Sequence, residues 1–190
     1  MARPRKFDEE RVVDAAMRVF WATGYQATST EELCEATGLG RGSIYNAFTS
    51  KRDLFKRALQ RYMDTMTTRQ IALLESHLPV REKLRRLLYQ AIDEEEQQRR
   101  GCLVVNTIVE LAPCDPEIAE LLCRDYNRRL EALRAAIDRG RRDGEIAADR
   151  DPTALAHFIN ATLGGMQVAA RGGADRGVLE GIVAIALRVI

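Results

Sequence analysis

Arg41, Ser43, Tyr45 and Asn46 set four hydrogen-bonding side chains close together, with Gly42 among them. On the tip of a helix, such a set suits the base edges and phosphates of duplex DNA. A guanidinium can bond guanine bidentately, and hydroxyls, phenols and amides reach bases or phosphates. Gly42 would let the backbone approach the duplex closely. Thr28 and Ser29 at one helix start, and Lys51 at another, would grip phosphates, because helix N-termini favour anions. Plain helix capping explains the two hydroxyls equally well without DNA, and a solvated surface site explains the lysine. Enzyme chemistry is not spelled out: no nucleophile–base pair, paired carboxylates or metal cluster stands at recognisable spacing. Cys34, Cys102, Cys114 and Cys123 show no paired metal spacing, and His77 and His157 are isolated, so neither metal nor cofactor is expected.

These side chains need a rigid frame. Leu33, Cys34, Thr37, Leu39, Ile44 and Ala47 form a small or apolar pattern around Gly38, which predicts two short helices joined by a tight turn. Cys34 falls where the two must cross closely. Asp8 is a candidate N-cap for a preceding helix, with Phe7 as a hydrophobic staple. Val12, Ala15, Ala16, Val19 and Phe20 recur at helical spacing in that helix until Gly24 ends it. Ser29 with Glu32 forms one capping box, and Ser50 with Asp53 forms another at the head of a longer fourth helix.

The ordered set Phe20, Thr23-Gly24-Tyr25, Thr28-Ser29, Ala36-Thr37-Gly38-Leu39, Gly42-Ser43-Ile44-Tyr45, Phe48, Lys51 and Leu54-Phe55 resembles the N-terminal signature of the TetR/AcrR family of bacterial transcriptional regulators. Ala47 departs from a histidine frequent in that family, and Gly40 from a serine or threonine at the recognition-helix cap. The resemblance implies an all-α chain. A helix-turn-helix DNA-binding domain would span residues 1–49, and a helical effector-binding and dimerisation domain residues 50–190. It implies a homodimer on a double-stranded palindromic operator, released by a small-molecule effector, with the fourth helix as lever. A helical protein-interaction module that does not read DNA is the competing class.

The chain of 190 residues is 46% hydrophobic and 30% charged, with a formal net charge of only +1. That is ordinary globular composition and excludes general nucleic-acid stickiness. Charge is nevertheless uneven. Residues 41–70 hold Arg41, Lys51, Arg52, Lys56, Arg57, Arg61 and Arg69 against Asp53 and Asp64, and Arg3, Arg5 and Lys6 precede the first helix. These side chains form either a phosphate-facing patch or a solvated helix face. No apolar run approaches the ~20 residues of a spanning helix, and none near the start looks like a signal peptide. A cytoplasmic protein with no membrane partner is the expectation.

Beyond Pro79, Val80, Leu84, Leu87, Leu88, Ala91 and Ile92 make an apolar stripe on a fifth helix that leads into the charged run Asp93–Arg100. An apolar segment, Cys102–Leu111, follows. Asp115-Pro116 and Asp151-Pro152 are N-cap and first-turn pairs for two further helices. The first carries Ile118, Leu122, Tyr126, Leu130, Leu133 and Ile137. In the second, Ala161, Gly165 and Ala169 recur every four residues and leave a flat face. The terminal run Val178–Ile190 is apolar nearly all round, so it must be covered on more than one side. An internal core helix or a partner helix satisfies that; the family resemblance implies the partner, through the last two helices. Asn106 and Glu110 interrupt the apolar segment on one helical face, where a ligand cavity or a solvated edge would satisfy them. Tyr89, Tyr126 and Asn160 are candidate co-lining residues of such a cavity, and the resemblance implies a cavity in this half of the molecule. Cys102, after Gly101 and beside Arg99 and Arg100, is a competing trigger, since helix N-termini and cations favour thiolate. One branch of the family with a similar Gly-Cys-Leu segment responds to electrophiles or oxidants through that cysteine.

Overall fold

Local capping signals fix where most of the helices begin. The computed structural model describes residues 8–98 and 101–190, with the side chains of 94–98 excepted. Phe7, Arg3, Arg5, Lys6, Arg99 and Arg100 therefore lie outside the described residues. Among the described residues the chain is all α-helical: α1 (Glu9–Thr23), α2 (Thr30–Thr37), α3 (Arg41–Ala47), α4 (Lys51–Glu75), α5 (Val80–Gln98), α6 (Leu103–Glu110), α7 (Pro116–Arg142), α8 (Pro152–Arg171) and α9 (Arg176–Val189). The Asp8 carboxylate accepts from the Glu10 and Arg11 amides. Ser29 and Glu32 complete the reciprocal capping box of α2. Ser50, Asp115, Asp151 and Asp175 cap α4, α7, α8 and α9. Each such cap contributes about 1 kcal/mol by satisfying an amide that the helix cannot.

Two apolar clusters follow from the stripes. The first gathers Phe20, Leu33, Ile44, Phe48, Leu54 and Phe55 from α1–α4 and also draws in Leu103 and Val104 of α6 and Ile118 and Leu122 of α7. The rings of Phe20 and Phe55 meet edge to face at 5.0 Å. The second cluster joins α5, α7, α8 and α9 around Leu84, Leu88, Ile92, Ile137, Ile159 and Val183. Packing thus runs without a break across residues 49 and 50. Helix α4 packs on both α1 and α7, and α8 packs on α5 and α7.

The terminal helices bury one side each. Leu179, Val183 and Ala186 are buried, while Val178 (53% exposed) and Ile185 (58%) face outward. On α8 the outward apolar face is Phe158, Ala161, Gly165 and Val168. Ala169 turns in against the second cluster instead. The flat face therefore follows the spacing 158, 161, 165 and 168, and not a strict repeat of four, because a helix advances 3.6 residues per turn.

At the crossing of α5 and α7, a Cβ on Gly140 would overlap the Val80 side chain. Gly140→Ala should therefore destabilise the fold by about 1–3 kcal/mol, the usual cost of overpacking. Chemical denaturation would show a lower midpoint at unchanged slope; an unaltered midpoint would contradict the packing described.

Candidate nucleic-acid interface and the cavity behind it

Helices α2 and α3 are joined by Gly38, Leu39 and Gly40. Gly38 sits in the left-handed region at φ 69°, which favours glycine. Ile44 anchors α3 from beneath, only 1% exposed, with Phe48 fully buried behind it. That phase turns Arg41, Gly42, Ser43, Tyr45 and Asn46 to the surface. Gly40 supplies no side-chain cap to α3. Nothing lies within 4 Å of a Cβ built on Gly42, so any requirement for glycine there would come from outside the chain. The Tyr45 hydroxyl lies 3.2 Å from that of Thr30, and the Arg41 guanidinium sits 5.8 Å from the Tyr45 ring centroid. Four of the expected DNA-contacting side chains therefore share one exposed surface.

Thr28 does not join them. It is 2% exposed, and its hydroxyl donates to the Gly24 carbonyl at 2.6 Å and lies 2.7 Å from the Thr23 hydroxyl. This buried brace leaves no hydroxyl for a phosphate. Ser29 is half-buried, with its oxygen accepting from the Glu32 amide at 3.1 Å. Lys51 begins α4, with its ammonium 4.6 Å from the centroid of the Tyr25 ring. Burial, the largest influence, raises the Tyr25 phenol above its ordinary pKa.

The basic patch is thinner than its composition implies. Arg52 makes a bidentate pair with Asp115 and also bonds Glu117. Lys56 pairs with Glu117, Arg57 with Glu9, and Arg61 with Asp14. These cations tie α4 to α1 and α7. The Arg52 guanidinium, above all, holds the Asp115 carboxyl down at about 2. Arg41 and Lys51 make no ion pair among the described residues, which leaves both charges free on this surface.

Behind the first cluster lies a cavity of about 150 Å³. Its apolar wall includes Met63, Met66, Leu87, Ala91, Ile108 and Leu163, and its polar end is Thr67, Asp125, Arg129 and Asn160. Cys102, Tyr126 and Asn160 line it. The Tyr126 hydroxyl is 2.8 Å from His157 Nδ1, and the Tyr62 hydroxyl donates to Cys102 Sγ at 3.6 Å. Tyr89 does not line the cavity. Two residues beyond Leu87 it points to a nearly opposite side of α5, where the Arg85 guanidinium covers its ring at 5.6 Å. Asn106 lines an adjoining, more open groove with Val109 and Arg171.

Glu110 corrects the sequence reading most instructively. Its carboxylate accepts from the Tyr25 amide at 3.0 Å and the Gln26 amide at 2.6 Å. Both oxygens thereby clamp the turn after α1. Gly24 permits the approach: its φ is 87°, and a Cβ there would come within 3.1 Å of the carboxylate. At the opposite end of α6, the Trp21 indole donates to the Gly101 carbonyl at 2.7 Å. Helix α6 is thus tied to α1 at both ends, while its Val104, Val105 and Ile108 line the cavity.

Sequence reasoning missed Thr67, Asp125 and Arg129. Asp125 and Arg129 continue the helical phase of the buried Ile118 and Leu122, a position where an apolar residue is the rule. That was the available signal.

Comparisons with known proteins identify the family. Residues 12–58 match the profile described as bacterial regulatory proteins, tetR family. Residues 79–184 match the tetracyclin repressor-like C-terminal domain. The chain is 33% identical over 190 residues to the HTH-type transcriptional repressor ComR of Escherichia coli (strain K12), covering 98% of this chain and 90% of ComR. It is 27% identical to the HTH-type transcriptional repressor DhaR of Mycobacterium sp. (strain GP1), covering 80% of this chain and 77% of DhaR. Among solved structures, a cysteine mutant of the TetR family transcriptional regulator CifR complexed with 26 bp operator DNA superposes with a TM-score of 0.86. It shares 32% identity, with 98% of each chain covered. These relatives are transcriptional regulators, not enzymes, and they disfavour a module that ignores DNA. The chain belongs to the TetR family of bacterial regulatory proteins.

Proposed function

We propose that this DNA-binding transcriptional regulator is a homodimeric repressor that reads a palindromic operator with α3 and is released by a small molecule entering the cavity. The observation that carries the reading is the outward set Arg41, Ser43, Tyr45 and Asn46, seated on buried Ile44 and accompanied by the unpaired cations Arg41 and Lys51. Arg41 is the candidate for guanine, Tyr45 and Asn46 for bases or phosphates, and Lys51 for phosphate. Ser29 contributes its helix start. The operator complex of CifR supports this use of the surface. Action on bacterial chromosomal DNA would place the protein in the cytoplasm. No helix among the described residues is long and apolar enough to cross a membrane.

Pairing would use the outward faces of α8 and α9, where Phe158, Val168, Val178 and Ile185 are exposed beside Gly165 and Gly181. An apolar stripe with small residues lets helices approach closely and is costly to leave in water. Two-fold pairing sets half-sites one turn, ~34–36 Å, or a multiple of it apart.

Release would pass from the cavity through α6. A guest pressing on Val104, Val105 and Ile108 displaces the helix that holds Glu110 against Tyr25 and Gln26. The Tyr25 ring in turn supports Lys51. Helix α4 carries the same displacement from Met63 and Met66 at the cavity to Lys51. Effector and DNA then weaken each other reciprocally.

Fluorescence anisotropy against DNA from upstream of the gene tests the reading. Arg41→Ala should weaken sequence-specific binding by roughly tenfold or more, the value of one bidentate base contact. Lys51→Ala should weaken all duplexes alike and lower the salt slope by about one. Equal affinity of the wild type for operator and random duplex would exclude the repressor reading. Glu110→Ala should cost roughly tenfold in operator affinity with dimerisation intact, whereas Glu110→Gln, which keeps one acceptor, should cost less. Wild-type affinity in Glu110→Ala would show that the clamp plays no part.

A further inference from the structure

The polar end of the cavity carries information about its guest. Asp125 is 7% exposed, and its two oxygens are both engaged: one accepts from the Thr67 hydroxyl at 2.7 Å, the other from Arg129 Nε at 3.1 Å. Arg129 Nη1 reaches the Asn160 side-chain oxygen at 3.4 Å. Arg129 Nη2 has no partner among the described residues. No fully buried side-chain nitrogen or oxygen among them lacks a hydrogen bond, so Nη2 opens onto free space, and Arg129 borders the cavity.

The charged side chains lining the cavity are Arg69, Asp125 and Arg129. Asp125 and Arg129 cancel each other at contact distance. Arg69 is exposed, where water and salt screen it. A carboxylate brought to Arg129 would lie beside the Asp125 carboxylate in a poorly hydrated site, and an ammonium would lie beside Arg129. Either repulsion is large where the dielectric is low. A neutral oxygen meets no such penalty and gains a hydrogen bond from a charged donor, the stronger kind. The remaining wall combines the apolar Met63, Met66, Leu87, Ala91, Ile108 and Leu163 with the uncharged amides of Gln70, Gln90 and Gln167, which favour neither ion. A cavity of about 150 Å³ has room for a benzene-sized molecule.

We infer that the cavity selects a small, electrically neutral, largely apolar molecule carrying one accepting oxygen, such as a ketone, aldehyde or ester, with that oxygen bonded to Arg129. This rests on the reading of the cavity as the effector site. Asp125 is then a specificity-determining residue: its charge rejects acids that Arg129 would otherwise attract.

Four probes of nearly one shape test this on the full-length dimer by calorimetry: acetophenone, benzoate, benzylammonium and ethylbenzene. For the wild type, acetophenone should bind roughly tenfold or more tighter than the two ions, and tighter than ethylbenzene. Asp125→Asn keeps the shape and unmasks Arg129, so the order should invert in favour of benzoate. Arg129→Gln should bring acetophenone down to the ethylbenzene level; because it leaves Asp125 unpaired and can impair folding, the wild-type and Asp125→Asn series decide. Benzoate or benzylammonium matching acetophenone on the wild type, an unchanged order in Asp125→Asn, or no binding of acetophenone overturns the inference. Operator anisotropy in the same samples separates the two readings. Acetophenone that binds without loosening the operator refutes the cavity as effector site and leaves the neutral preference standing.

Discussion

A single carboxylate, Glu110, holds the end of α6 against two backbone amides at Tyr25 and Gln26. Amides at the turn between α1 and α2 have no helical partner, so a charged acceptor there stabilises one particular position of the reading head. The neighbouring bond from Trp21 to the Gly101 carbonyl secures the other end of the same helix. Between those two ties, α6 offers apolar side chains to the cavity. A short helix held at both ends transmits displacement, because packed interiors move as units. On the proposed reading, the route from guest to DNA is a chain of contacts: cavity wall, α6, Glu110, the Tyr25 backbone, and the Tyr25 ring beneath Lys51.

Charge is distributed to the same end. Most basic residues of α4 are committed to acids on α1 and α7, with Arg52 bound between Asp115 and Glu117. Surface pairs of this kind contribute little to stability singly, but as a set they fix the angle at which α4 leaves the helix-turn-helix. A nearly neutral protein can still select DNA on this plan. Arg41, Lys51 and a set of polar side chains face outward, while the paired cations Arg52, Lys56, Arg57 and Arg61 hold the frame that aims them.

Much of this was legible in the sequence because the signals are local. Ser29 and Glu32, Ser50, and the Asp-Pro pairs at 115 and 151 mark helix starts through contacts within a turn, and the stripe from Val80 to Ile92 marks a buried face. The turn at Gly38 and the outward phase of Arg41 to Asn46 follow from spacing alone. What was not legible depends on partners far along the chain. Glu110 and Gln26 are 84 residues apart, so a carboxylate on an apolar helix looked like a ligand group when it was a clamp. Thr28 looked like a phosphate contact, since burial of a hydroxyl against Gly24 leaves no trace in residue order. The ion pairs of α4 were invisible for the same reason. Asp125 and Arg129 stand four apart, the spacing of an ordinary helical surface pair, although their phase with Ile118 and Leu122 points inward.

Occupying the cavity without any ligand tests the central claim most directly. Gly164 borders the cavity, and a Cβ placed there meets nothing within 4 Å, so Gly164→Met can project a side chain into the space. The measurement is hydrogen exchange at the Tyr25 and Gln26 amides, with operator affinity determined on the same dimeric sample. The account predicts faster exchange at those two amides together with weakened operator binding. Unchanged protection and unchanged affinity, with the methionine seated in the cavity, would contradict it.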